Sequence, residues 1–153
     1  MMKLMLSCFF CVVAASGALQ SQSASLAGQE SALALKEKNF HNYGHDFLDL
    51  AKGDEYEPSA GLADTAWEVE GHVSAAMALL DVYDSLSCPP DRAAARTIIR
   101  RQLGYYSKDI DSEIKISNMG IERTKKPGVA AEATRMRDDL RDVQELFNSI
   151  KLD

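Results

Sequence analysis

Between Leu62 and Tyr83 the apolar residues Leu62, Ala66, Val69, Val73, Ala76, Leu80 and Tyr83 recur at alternating steps of four and three. That spacing lines one face of an α-helix and has no period-two reading, so it predicts a helix and not a strand. From Val73 to Leu80 there is no charge, and the positions off the stripe are Ser74, Ala75, Met77, Ala78 and Leu79. Such a helix is expected to be covered on more than one side, as the central member of a bundle is. The same rhythm returns near the end of the chain at Val129, Ala133, Met136, Leu140, Val143, Phe147 and Ile150. Between the two, Ala95, Ile99, Leu103, Tyr106, Ile110 and Ile114 mark another helix, expected from about Asp91 to Ser117. Ahead of them, Leu33, Phe40, Phe47 and Leu50, with Ala34, Tyr43 and Leu48 beside them, mark a first helix from about Ser31 to Lys52.

Breaker residues divide these stripes. Gly53 to Pro58 connects the first two helices, and Ser59 is the expected N-cap of the second, with Asp64 as the later alternative. Ser87-Cys88-Pro89-Pro90-Asp91 closes the second helix and opens the third. Proline suits a first turn because the N–H it lacks would find no partner there, and Asp91 complements the helix dipole. Gly120 is the expected stop of the third helix, since glycine readily takes the left-handed conformation that closes a helix, and Pro127-Gly128 is a firm break before the fourth. Gly44 interrupts the first helix at a cost of about 1 kcal/mol relative to alanine, so a kink or two shorter helices meeting near Asn42 to Gly44 are expected, with close helix contact as the other use of a glycine there. Four amphipathic helices joined by short links predict an all-α, up-down-up-down four-helix bundle.

The N-terminus has a different character. Met1 to Ala18 holds Lys3, an apolar run from Leu4 to Ala15 and then Ser16, Gly17 and Ala18, the layout of a cleaved secretory signal peptide. The run is too short for a permanent membrane span, and nothing later is apolar enough for one. Residues 19–30 are small and polar, a flexible lead-in or a loosely formed first turn, which leaves 31–153 as one bundle domain in a periplasmic or extracellular compartment. Loss of the leader removes two of the three cysteines and leaves 16 basic against 23 acidic residues. An acidic chain of this size is no nucleic-acid binder, and with Cys88 alone it has no internal disulfide, though a homodimer through Cys88 is open to it. Charge is unevenly spread. Leu19 to Cys88 carries 12 acidic and 3 basic residues, Pro89 to Asp153 carries 11 acidic and 13 basic. The first hairpin is therefore acidic and the second slightly basic, which favours their docking.

Candidate chemistry rests on three histidines. His41 and His45 are i,i+4 on the first helix, and Glu68 and His72 repeat that spacing on the second. If the two helices are antiparallel neighbours, the four can converge on a divalent metal, zinc first, with Asp46 or Asp49 nearby. The plain alternative is that His-x-x-x-His arises by chance and that His72 only flanks the apolar stripe. There is no Cys-x-x-Cys-His for covalent haem, no Glu-x-x-His di-iron signature, no Gly-x-Ser-x-Gly and no phosphate loop. Arg92, Arg96 and Arg100 form an i,i+4 row that suits an anionic partner or the acidic first hairpin. Trp67, Tyr105 and Tyr106 are the aromatics that could sit at a binding edge. The reading that follows is an exported, non-catalytic bundle for binding, scaffolding or envelope association. Its alternative is a metal- or cofactor-binding bundle built on His41, His45, His72 and Glu68.

Overall fold

A computed structural model describes the backbone of residues 6–51 and 56–153 and the side chains of residues 26–51 and 58–153. The leader reading of Met1 to Ala18 falls outside the described side chains. The order is α1 (Leu6–Leu50), α2 (Tyr56–Ser85), α3 (Pro89–Arg123) and α4 (Pro127–Ser149), with no strand among the described residues. Each helix packs on the next, and α4 returns to α1, so the four close into a ring around one core. α2 and α4 also approach across the diagonal, whereas α1 and α3 stay apart.

The stripes of α2 and α4 are the core. All seven stripe positions of α2 are at most 1% exposed, and Val129, Ala133, Met136, Leu140 and Val143 of α4 are fully buried. Burial of each large side chain contributes roughly 1.5–3 kcal/mol, and the steps of four and three let facing helices interdigitate as in a coiled coil. α1 contributes Leu26, Leu33, Phe40 and Phe47, one every two turns, and α3 contributes Ile99, Leu103 and Ile110. Leu26 is already in the core, so α1 packs ahead of Ser31 and the lead-in expected up to residue 30 is helical. α1 also runs unbroken through Gly44.

Three helix ends differ from the sequence expectation. α2 begins at Tyr56, so Ser59 is an interior residue, buried with its hydroxyl unpartnered, and Pro58 occupies the first turn where proline is tolerated. α3 runs through Gly120 to Arg123. Gly120 is no helix stop because Leu62 of α2 occupies the space its side chain would need: a Cβ there would lie 2.9 Å from Leu62 Cδ2. The third difference concerns the chain beyond α4. Ile150 and Leu152 are buried, Tyr83 donates its hydroxyl to the Asp153 carbonyl, and Arg100 donates to the Leu152 carbonyl at 3.2 Å. Arg92 lies 4.6 Å over the Tyr83 ring. Arg92 and Arg100 thus hold this end of the bundle, and among the described residues none of Arg92, Arg96 and Arg100 forms an ion pair with the acidic hairpin.

Candidate functional site

Polar residues gather at three helix seams. Between α1 and α4, Lys36, Asn39 and Tyr43 project from one side of α1 and meet Asp139 of α4. Lys36 Nζ donates to Asp139 Oδ1 at 2.7 Å, while Asn39 Nδ2 and Tyr43 Oη donate to Oδ2 at 3.0 Å each. Lys36 also reaches Asp142 at 2.5 Å. Burial pushes the Tyr43 phenol well above its ordinary range, and the Asp139 carboxylate adds to it. Burial opposes the charge on the Lys36 ammonium, but the two aspartates outweigh it and raise Lys36. With Asp139 so engaged, Arg135 pairs with Glu132 at 2.5 Å, and Arg141 with Asp138 at 3.2 Å. Each arginine thus takes the acid three residues before it, although i,i+4 spacing also offers Asp139 to Arg135 and Glu145 to Arg141.

Between α1 and α2, His41 and His45 come together as their i,i+4 spacing requires, with ring centroids 4.8 Å apart. His41 Nδ1 donates to Glu70 Oε1 at 3.0 Å, and His45 packs edge-on to Trp67, 6.1 Å between centroids. The indole of Trp67 in turn covers Gly44. Trp67 is thus half-buried against α1 and is part of the helix seam.

His72 lies on the opposite flank of α2. Its Nδ1 donates to the Glu68 carbonyl at 2.7 Å, its Nε2 faces Asp109 Oδ2 at 3.3 Å, and its ring stands edge-on to Tyr106 at 4.8 Å, both partners belonging to α3. Each ring nitrogen faces an oxygen that only accepts, so no lone pair of His72 is left aimed at an open ligand position. Beside it Glu113 of α3 is buried, its Oε2 unpartnered. Burial raises the Glu113 carboxyl above the usual range, the Glu68 and Asp109 carboxylates push the same way, and a hydrogen bond from Thr65 and the charge of His72 oppose them.

The four-residue convergence expected at His41, His45, His72 and Glu68 therefore does not occur. α2 separates the first pair from His72, and Glu68 meets His72 through its backbone carbonyl. Among the described residues no group of three or more His, Cys, Asp or Glu side chains is placed to hold a metal. Nor is any helix there long and apolar enough to cross a membrane.

The outer face of α3 is a different kind of surface. Ile98, Tyr105 and Met119 are 52%, 52% and 42% exposed, and Arg101, Lys108 and Lys115 stand exposed between them with no ion pair among the described residues. The six fall at 98, 101, 105, 108, 115 and 119, so the outside of α3 repeats the four-and-three spacing of its inside. From the sequence Tyr105 is one of three aromatics suited to a binding edge, with nothing in that list to separate it from Trp67 and Tyr106. The signal in the sequence is the step of seven from Ile98 to Tyr105 and of fourteen from Tyr105 to Met119, with the polar Ser112 between. Next to this row, α2 shows an outer row of Gly61, Asp64, Glu68, Gly71, Ala75, Ala78 and Val82. Two hollows lie along the junction: one of about 220 Å³ lined by Glu68, Gly71, His72, Ala75 and Tyr106, and one of about 230 Å³ that includes Gly61, Leu62, Met119 and Gly120. The chain matches no family model, no curated protein and no solved structure.

Proposed function

We propose that this is an exported, non-catalytic binding or scaffolding bundle that works through the outer face of α3 and the adjoining edge of α2. The observation that carries the proposal is the exposed row of Ile98, Tyr105 and Met119 interleaved with Arg101, Lys108 and Lys115. Apolar residues at a period of seven on the outside of a helix suit a partner helix lying along it, and unpaired cations between them select an acidic one. Three polar side chains elsewhere fasten helix to helix: Asp139 between α1 and α4, His41 between α1 and α2, His72 between α2 and α3. Export is supported by the leader pattern from Met1 to Ala18.

A photo-crosslinking amino acid placed at position 105 tests the reading in cells that export the chain. A discrete crosslinked product that position 138, on the outside of α4, does not give is the expected result. Absence of any product at 105 overturns the assignment of this face.

A further inference from the structure

We infer that the partner of the α2–α3 face is a second copy of this chain, docked about a two-fold axis that runs parallel to the helices. The inference rests on the binding face proposed above and names its occupant.

Charge supplies the first argument. α2 has no lysine or arginine and its outer row carries Asp64 and Glu68, whereas the outward row of α3 carries Arg101, Lys108 and Lys115 without partners among the described residues. The two helices are neighbours and antiparallel, and together they make one outer face with Asp64 and Glu68 on one half and those three cations on the other, Asp109 being turned to His72 at the seam between them. A two-fold axis parallel to the helices lays α2 of each copy on α3 of the other, so both halves meet their complement at once and the assembly closes as a dimer. Any head-to-tail arrangement would satisfy one half only and leave the other free to propagate.

Register supplies the second argument. Such an axis preserves height along the bundle, so each α3 residue meets the other copy's α2 at the level it already shares with its own. Three contacts fix those levels: Gly120 with Leu62, Tyr106 with His72, and Arg92 with Tyr83. Interpolating between them brings Ile98 of one copy to Ala78 and Val82 of the other, apolar on apolar, with Val82 itself 56% exposed. Tyr105 arrives at Gly71 and Ala75, where the hollow of about 220 Å³ is open and where a side chain added at Gly71 would meet nothing within 4 Å. Lys115 arrives at Asp64 and Glu68. Met119 arrives beside Gly61, at the second hollow. Small residues on α2 thus stand opposite large ones on α3 along the pair, and at one end the acids Asp64 and Glu68 stand opposite Lys115.

The axis also sets the two α2–α3 turns side by side at one end of the dimer. Cys88, exposed at the start of α3, marks that end in both copies.

Sedimentation equilibrium of the purified chain across a concentration series, with the thiol kept reduced, is the test. The expected result is a dimer whose dissociation constant rises about ten-fold or more with Lys115→Glu or with Glu68→Lys and returns toward the parent value when the two are combined. Thermal melts of the exposed-site variants, read by circular dichroism on the monomer, check that each still folds. A short bismaleimide should join two copies through Cys88, and Cys88→Ser should abolish the product. A parent that stays monomeric, a dimer indifferent to both charge reversals, a combination that fails to restore association, or a dimer that the bismaleimide does not join each overturns the two-fold arrangement. A monomeric parent that still crosslinks at position 105 to a different protein overturns the second copy as occupant and leaves the binding face standing. Loss of that crosslink as well removes both.

Discussion

The indole of Trp67 lies directly on the bare backbone of Gly44, in space where a Cβ would stand 2.6 Å from indole Cδ1. α1 and α2 approach as closely as they do here because residue 44 has no side chain. A methyl group must push the indole aside or the helices apart, and overpacking of that kind costs about 1–3 kcal/mol. Gly44→Ala is expected to lower the melting temperature and to shift Trp67 fluorescence while helix content stays the same. Gly104→Ala is the matched contrast, since a Cβ there meets nothing within 4 Å and an interior helix glycine costs about 1 kcal/mol. It should stabilise. Equal effects of the two substitutions in urea denaturation would refute the close contact.

The four-and-three stripes carry the fold, so a charge placed on one of them is expected to abolish it. Leu80 and Leu140 are fully buried, and an unpaired carboxylate there costs several kcal/mol, comparable to the whole stability of a small domain. Leu80→Asp and Leu140→Asp should be unfolded by circular dichroism at room temperature. Asp81→Asn, on the exposed side of the same helix, should melt like the parent.

Asp139 is held by three donors from α1, and its loss leaves the partly buried Asn39 amide and Tyr43 hydroxyl without their acceptor and Lys36 with Asp142 alone. Stranding such groups costs about 1–3 kcal/mol. Asp139→Ala is expected to destabilise by at least that much, and Asp138→Ala, one position along on the exposed side, by far less. The seam also responds to alkali. Tyr43 resists ionisation in the folded state, so above about pH 10 the unfolded chain gives up this proton while the native one keeps it, and stability falls as pH rises. Tyr43→Phe should flatten the alkaline limb of a urea-midpoint against pH curve, at some loss of stability at pH 8.

Three carboxyls, Glu30, Glu113 and Glu132, are raised, each mainly by burial. A carboxyl raised in the native state binds its proton more tightly there than in the unfolded chain. Its contribution is most favourable below the ordinary value of 4.5 and is lost as pH climbs through the native one. For these three groups, mild acidification from neutrality therefore stabilises. Glu113→Gln should raise the urea midpoint at pH 7.5 and reduce the gain on moving toward pH 5. A variant that loses stability at pH 7.5 would show that the buried carboxylate is better solvated than its surroundings indicate.

His41 and His45 are the adjacent nitrogen pair, while both nitrogens of His72 face oxygen acceptors. Calorimetric titration with zinc is therefore expected to give at most weak binding, unchanged by His72→Ala. Binding that falls sharply with His72→Ala would mean that α2 does not separate these rings in solution.

Much of this was legible because it is periodic. The stripes of α2 and α4 could be read residue by residue, since each buried position recurs at a fixed step from the last and nothing distant alters that. Gly120 and Ser59 were not legible in the same way. Gly120 looks like a helix stop, and only Leu62, far away in sequence, makes it a packing notch. Ser59 has the chemistry of an N-cap, but α2 starts earlier and leaves it in the interior. The Asp139 seam left a trace that could have been followed. Lys36 and Tyr43 interrupt the inner side of α1 one every two turns, between Leu33, Phe40 and Phe47, and such positions need a polar partner across the seam. Which residue on α4 provides it depends on the height at which two remote helices meet, and local spacing does not encode that.

The diagonal approach of α2 to α4, with α1 and α3 held apart, makes the cross-section of the bundle a rhombus. Along its short axis the apolar stripes of α2 and α4 meet, and the buried polar residues stand off those stripes: Ser107, Glu113 and Ser117 on α3, Ser59 and Thr65 on α2, and Glu132 on α4. Native-state hydrogen exchange should divide along that axis. Amides in the middle of α2 and α4 should exchange only through global opening, whereas α3 and α1, each resting on the shared ridge and not on one another, should open sooner and independently, as separate cooperative units.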